Sequence, residues 1–365
     1  MLPRDVITTG PLILRPPAEE DVEAIVKVCN DPVTARFLPA LPSPYRMEDA
    51  RGFLEKAAAK WADGGAEFVI TQDGGYVGSI GIVRPDQWGV ASIGYMVAPW
   101  ARGRSVAATA ARAVTDWLFD HGVRRVELQA AVENVASLRV AVKAGFLEEG
   151  RRRDARRLRD GRYVDMVTFA RLAEDTVDAV TAEPYLPFFA DGELCDGVVR
   201  LVPLAVEDAG DFHRMLADPT VAAYHFGPMG TLEEHERRCR YTGYWWVSGQ
   251  RIELAVRDAA SGAFAGHIQL AHVVPSLGQA MVGYSLVPGF RGKGFMTRAV
   301  RLLVDWAFAN TALHRIVAGT DAGNTASHAV LERAGFSREG VHRGLFVKAD
   351  GTRADDLAWS VLRPT

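Results

Sequence analysis

A chain of 365 residues with 48% hydrophobic and 24% charged residues is ordinary globular material, long for one domain and comfortable for two. Its formal net charge of −3 supplies no general attraction to nucleic acid or to an anionic membrane. The opening MLPRDVITTGPLILRPP has no apolar h-region, and no stretch reaches membrane-spanning length. Cys29, Cys195 and Cys239 share no CxxC spacing and sit near no His pair. The expectation is a cytoplasmic protein with free thiols, no metal, and no nucleic-acid or membrane partner.

Taken in chain order, EEDVEAIVKVCN (residues 19–30) carries apolar residues at helical spacing. AEFVITQ (66–72) and YVGSIGIVR (76–84) read as strands around a DGG turn, and SIGYMVAP as a strand ended by Pro99. SVAATAARAVTDWLFDHG is a helix stopped by Gly122, VRRVELQAAV a strand, and VASLRVAVKAG a short helix stopped by Gly145. The series then starts again. RIELAVRD, FAGHIQLAHV and MVGYSLVP read as strands, FMTRAVRLLVDWAFAN as a helix, RIVAGT as a strand and TASHAVLERAG as a short helix. Asp21 corresponds to Asp208, Gly103 to Gly292 and Gly145 to Gly335, separations of 187, 189 and 190 residues. So long a period is a duplicated domain, not a solenoid unit. The expected division is 1–175, a connector over 176–196 that matches neither copy, and 197–365.

In the second copy a strand runs into Arg291, Gly292, Lys293 and Gly294 and then into a helix. Such a turn aims several backbone N–H groups at one spot, and the helix N-terminus adds partial positive charge. Glycines let a ligand approach without Cβ clash. The arrangement suits a pyrophosphate; it has neither the P-loop spacing nor the full GxGxxG of a dinucleotide fold. The first copy reads Arg102, Gly103, Arg104, Ser105, so a Cβ and a hydroxyl stand where the second has Gly294. Further on, Asn324, Ser327, Arg333, Gly335 and Phe336 match Asn134, Ser137, Lys143, Gly145 and Phe146 at identical spacing.

With LILRPPAEEDVEAI, IGYMVAP, the R-G-x-[GS] turn and DGRYVD, these motifs resemble the GCN5-related N-acetyltransferases (GNAT), in particular the RimJ/RimL-like branch. The resemblance covers nearly all of both copies. It implies two tandem α/β folds, each a mixed, mostly antiparallel twisted sheet flanked by helices. It implies that acetyl-CoA or another acyl-CoA lies where the fourth and fifth strands splay, its arm along the fourth strand near Leu286 and Val287, or near Val97 in the first copy. The pyrophosphate would sit on Arg291, Gly292, Lys293, Gly294, Phe295 and Met296, or on 102–105. Asn324 and Asn134 would position the pantetheine, with Ser327, and more weakly Ser137, near the sulfur. Tyr284, Asp355 and Asp165 are the candidate substrate residues; a turn-capping role competes for the two aspartates. Two departures stand out. The Tyr that many members carry seven residues after the Asn is Ala141 and Leu331 here, and the Glu before Ile-Gly-Tyr is replaced by Ser92 and by Met281 or its neighbour.

The resemblance implies transfer of an acetyl or other short acyl group to a primary amine, of a small molecule or a protein N-terminus, by direct attack in a ternary complex. Alternatives are a carrier-protein thioester as donor, or a non-catalytic acyl-CoA sensor. The second copy, with both glycines, is expected to carry the chemistry and the first to be weakened. The arginine run 151–162 reads either as a dock for an acidic partner such as an acyl carrier protein or as a solvated hairpin. Trp245 and Trp246 line a pocket or pack the core. His225, His267 and His272 are candidate bases or hydrogen-bonded histidines.

Overall fold

The computed structural model of the protein describes residues 2–175, 184–225, 229–347 and 351–364. The chain divides into two units, Met1–Ala182 and Glu183–Thr365. Unit one runs β1 (Ile7–Thr9), β2 (Leu12–Arg15), α1 (Val22–Cys29), α2 (Pro32–Phe37), α3 (Met47–Ala62), β3 (Ala66–Gln72), β4 (Gly75–Val83), β5 (Val90–Val97), α4 (Val106–Asp120), β6 (Arg125–Ala131), α5 (Val135–Lys143), β7 (Leu147–Arg157) and β8 (Tyr163–Leu172). Unit two repeats it with β9 (Leu194–Cys195), β10 (Val199–Pro203), α6 (Ala209–Ala217), α7 (Pro219–Ala222), α8 (Leu232–Val247), β11 (Ile252–Asp258), β12 (Phe264–Val274), β13 (Gln279–Leu286), α9 (Phe295–Asn310), β14 (Arg315–Asp321), α10 (Thr325–Arg333), β15 (Ser337–Val347) and β16 (Arg353–Leu362). The sheets have orders β1-β2-β3-β4-β5-β6-β8-β7 and β9-β10-β11-β12-β13-β14-β16-β15. Within each, every pair is antiparallel except β5–β6 and β13–β14.

Local chemistry explains the repeated starts. Before α1 the Asp21 carboxylate accepts from the Ala18 N–H at 2.8 Å and pairs with Arg15. Asp208 does the same for Ala205 in unit two, with Arg257 as its cation. The two Asp-Pro pairs are helix starts. Asp31 and Asp218 accept from the N–H groups of Thr34 and Thr220, and Pro32 and Pro219 occupy the first helical position, where a missing N–H costs nothing. Asp73 and Gly74, with φ of 51° and 77°, make a two-residue hairpin turn whose twist matches its strands.

The core of unit two lies in two layers. Leu254, Val256, Ile268, Leu270 and Val282 face α9, while Ala255 and Phe264 face Phe212 of α6 and Cys239 of α8. Alternation along the strands thus assigns α9 to one face and α6 and α8 to the other. The expected connector differs from the structure. Residues 176–183 lie outside the described residues, and 184–196 belong to unit two. Leu186 and Phe189 are buried in its core, and Leu194 pairs with Leu201. Trp246 holds them. Its ring stacks on Phe188 at 4.6 Å and meets Phe189 edge-on at 4.8 Å, and its indole N–H donates to the Leu186 carbonyl at 3.1 Å. The matching tryptophan of unit one, Trp61, instead donates to the Glu67 carbonyl at 3.1 Å and meets Phe68 edge-on. The segment shows no likeness to unit one because it packs on a tryptophan whose counterpart is occupied locally.

The arginine run forms the exposed β7 and its turn into β8. Several of its guanidiniums bind unit one itself: Arg159 donates to the carbonyls of Ala35 and Leu41, and Arg162 pairs with Glu133. Trp246→Ala should cost unit two about 3–5 kcal/mol through lost burial and the cavity left behind. Denaturant unfolding should show one of two transitions shifted to lower concentration, and limited proteolysis should cut within 184–196 first. Unshifted transitions would show that this segment does not depend on Trp246.

Candidate active site

In both units the site begins where a ladder stops. β13 pairs with β14 only over Gln279–Met281, and β5 with β6 only over Val90–Ser92. Beyond these residues the strands diverge. Antiparallel bonding alternates along a strand, and the Val287 N–H donates to the Ala265 carbonyl at 2.8 Å. Val287 is therefore committed to β12, whereas the N–H groups of Leu286 and Tyr284 turn to the widening gap. Of the two residues expected near the arm, Leu286 turns its N–H to the gap and Val287 turns its N–H to β12. In unit one Ala98 donates to the Val77 carbonyl at 2.9 Å, which turns Val97 to the gap.

The glycine turns close this gap. Gly292 and Gly294 have φ of 73° and 79°, and a Cβ at either would meet nothing within 4 Å. The residues there need the left-handed conformation and leave open space above it. Ser105 adopts the same conformation as Gly294, with φ 60° and ψ 13° against 79° and 2°. The turn of unit one thus keeps its shape at a strain of about 1–2 kcal/mol, the cost of this conformation for a residue with a Cβ. The side chains of Phe295 and Met296 are buried, so only their unpaired backbone N–H groups can serve a ligand. Lys293 folds back, its Nζ donating to the Gly289 carbonyl at 2.8 Å over the Phe290 ring. Arg291 is exposed, and its charge acts on Asp218. Arg102 is bound to Asp31 and to Thr34 Oγ1 at 3.0 Å, which spends part of its charge on the start of α2. Arg104 is exposed.

Asn134 and Asn324 are N-caps: each Oδ1 accepts from the N–H of Ser137 or Ser327 at 3.2 Å. This orients the two serine side chains toward the fourth strand. Ser327 Oγ lies 2.7 Å from the Tyr284 hydroxyl, and Ser137 Oγ lies 2.9 Å from that of Tyr95. Burial pushes the Tyr284 phenol up to about 12, against a small opposing effect of Ser327, and burial likewise raises Tyr95. Both phenols therefore stay protonated near neutrality. Tyr284, expected on the substrate side, shares a sheet face with the α9 core and turns to Ser327. Tyr95 was not singled out from the sequence, although the Gly-Tyr pair recurs in both fourth strands.

The other two candidate substrate residues have structural roles. Each hairpin β7–β8 and β15–β16 has extra residues opposite one aspartate. Asp165 accepts from the Asp154 N–H at 3.0 Å and pairs with Arg151, and Asp355 accepts from the Gly344 N–H at 2.8 Å. Asp154 and Gly344 both have positive φ, so these carboxylates hold the bulges in shape. These contacts match the turn-capping role that competed with substrate binding for the two aspartates.

A cavity of about 390 Å³ in unit one takes in Val97, Arg102, Gly103, Ser105, Asn134 and Ser137. One of about 260 Å³ in unit two is lined by Tyr284, Asp321, Asn324 and Ser327 together with Arg238 and His267. Sequence reading passed over Arg238 and Asp321, which stand outside the shared motifs. The fully buried Glu253 carboxylate receives Arg238 Nε at 2.8 Å and Arg251 at 3.2 Å. Burial alone would raise its pKa; His267 and Arg238 outweigh that and hold it near about 2. His267, 3.5 Å from Glu253, is pushed down by burial, against the raising effect of Glu253. His225 also lines this cavity, and His272 is exposed where the β12–β13 pairing shifts. The three cysteines are free, and among the described residues no cluster could hold a metal and no helix is long and apolar enough to cross a membrane.

A splayed parallel pair beside a left-handed turn and a capped Asn-Ser helix defines a class of acyl-CoA-dependent transferases. The family described as "Acetyltransferase (GNAT) domain" matches residues 11–147 and again 199–337, and the chain belongs to it. It is a tandem acyltransferase enzyme that uses an acyl-CoA as co-substrate. Among its relatives, probable N-acetyltransferase YjcK of Bacillus subtilis (strain 168) is 41% identical over 141 residues, 34% of this chain and 77% of that protein. Putative ribosomal N-acetyltransferase YdaF of the same organism is 37% identical over 103 residues, covering 28% and 55%. Of the solved structures, Mycobacterium smegmatis RimJ in complex with CoA-disulfide has TM-score 0.42 and 26% identity, covering 47% of this chain and 86% of that one.

Ser137→Ala combined with Ser327→Ala should lower turnover by roughly 10–100-fold, since donation to a departing sulfur acts only in the transition state. CoA affinity, measured by calorimetry, should stay within about twofold. Unchanged turnover would move the proton donor to another group.

Proposed function

We propose that each unit binds one acyl-CoA and transfers its acetyl or other short acyl group to a primary amine by direct attack. The observation that carries this is the recurrence of one geometry in both units: a splay after three ladder pairs, a left-handed residue at 105 or 294, and a Tyr–Ser pair at 2.9 or 2.7 Å. The residues present fit the co-substrate. The edge of β13 from Tyr284 to Leu286 offers main-chain groups to an extended amide-bearing arm, and the turn offers converging N–H groups over open space to a pyrophosphate. When bound, the acyl-CoA supplies a thioester carbonyl and a thiolate leaving group.

The chain supplies position and hydrogen bonds. The Leu286 N–H, preorganised at the gap, suits a carbonyl oxygen that gains charge as an amine attacks. Ser327, held by the Asn324 cap and backed by a protonated Tyr284, suits donation to the sulfur. Holding two reactants in one gap lowers the barrier with no covalent enzyme intermediate. The similarity to a putative ribosomal N-acetyltransferase supports a ribosomal amine, such as a protein N-terminus, as one acceptor class. A small hydrophilic amine is the other class, favoured in unit two by the carboxylate of Asp321 in its cavity.

Gly103→Val and Gly292→Val should each remove about one of two CoA equivalents in calorimetry, with circular dichroism unchanged. A β-branched side chain would fill the open cradle and strain a turn at φ of 78° or 73°. If one variant removes all binding and the other none, only one unit holds acyl-CoA. Absence of CoA binding in the unaltered protein would end the reading.

A further inference from the structure

The units share the acyl-CoA side of the gap and differ on the opposite face of the sheet, toward α6 and α8. In unit two that face can be followed strand by strand through the register. Glu253 lies opposite Gln269, Ala255 opposite His267, His267 opposite Ser285, and Asp321 opposite Asp356. The same route in unit one passes Ser79 opposite Met96 and Ala131 opposite Met166. Hence Met96, Ala131 and Met166 of unit one stand where unit two has Ser285, Asp321 and Asp356. Ala131 and Met166 are buried with Leu158 and Val164, with Phe37 packed against them, and several of these line the cavity of unit one.

Two carboxylates directly opposite each other across a sheet repel, and burying them costs more. Asp321 is 6% exposed and Asp356 4%. Asp321 Oδ1 accepts from the Gly323 N–H at 2.7 Å, and Asp356 Oδ2 binds His342 Nδ1 at 2.8 Å. Asp356 Oδ1 has no hydrogen-bond partner among the described residues. It lies over Gly319, where a Cβ would come within 2.5 Å of it, and Gly319 lines the cavity of unit two. Arg238, which lines the same cavity, is bidentate to Glu253, which Arg251 also meets. A cation arriving in this cavity meets the Asp321 carboxylate, with that of Asp356 packed over the lining Gly319.

We infer that Asp321 and Asp356 receive the ammonium group of a hydrophilic, cationic acceptor in unit two, whereas unit one seats an amine carried on an apolar body against Met96, Ala131 and Met166. The inference rests on the acyl-transfer reading and deepens it: one chain serves two acceptor classes through one donor geometry. No bond is made or broken at the aspartates; they bind and orient.

Spermidine and phenethylamine are suitable probes, one hydrophilic and multiply charged, the other apolar. With CoA-saturated full-length protein, spermidine should bind in calorimetry, and both amines should release thiol from acetyl-CoA. Asp356→Asn and Asp321→Asn, nearly isosteric, should each raise KM for spermidine at least tenfold with kcat within about twofold, leaving phenethylamine turnover unchanged. Met166→Asp should raise KM for phenethylamine and spare spermidine. Undetectable binding of spermidine, or equal effects of Asp356→Asn on both amines, would overturn the inference. Retained CoA binding in those same samples separates that failure from failure of the acyl-CoA reading.

Discussion

Everything functional in each unit follows from a parallel ladder that ends early. Had β13 and β14 continued to pair beyond Met281, the amides of Tyr284 and Leu286 would have been consumed by the sheet. Because they separate, one edge of a central strand keeps hydrogen-bonding capacity in the middle of the fold. The glycine turn and the short capped helix then stand on either side of that edge. The antiparallel ladder with β12 pins it from behind, as the Val287 bond to Ala265 shows. A rigid strand thus presents main-chain groups at fixed spacing, and few side chains are needed to hold an extended ligand.

The duplication preserves this arrangement through different residues. Ser105 keeps the left-handed conformation of Gly294, so local strain replaces glycine without changing the path of the chain. The Tyr95–Ser137 and Tyr284–Ser327 pairs keep the same contact although a helix tyrosine typical of the family is absent. On the other face, methionine and alanine in one unit become serine and aspartate in the other. The donor side of a transferase is constrained by a common ligand, whereas the acceptor side is free to change with what each unit binds.

Several features of the fold have local causes. The Asp-Pro helix starts, the Asp73–Gly74 turn and the Asn-x-x-Ser caps each depend on neighbours within a few positions. Other features depend on which way a group points. Leu286 and Val287 are adjacent, yet alternation sends their N–H groups to opposite sides. Asp355 and Asp356 are adjacent too. One pins a bulge and the other lies against the cavity wall, because successive side chains in a strand point to opposite faces.

Residue order alone is enough to show two copies of one α/β acetyltransferase fold in tandem, and where the glycine turn and the Asn-Ser helix start fall in each. Those features are short, periodic or repeated, and physical chemistry acts on them through near neighbours. Tertiary structure was needed to show that Leu186 and Phe189 belong to the core of unit two, that Tyr95 and Tyr284 meet Ser137 and Ser327, and that Asp321 lies opposite Asp356 where Ala131 lies opposite Met166. Each of these joins residues distant in the chain, and the register between strands far apart in sequence brings the last pairs together.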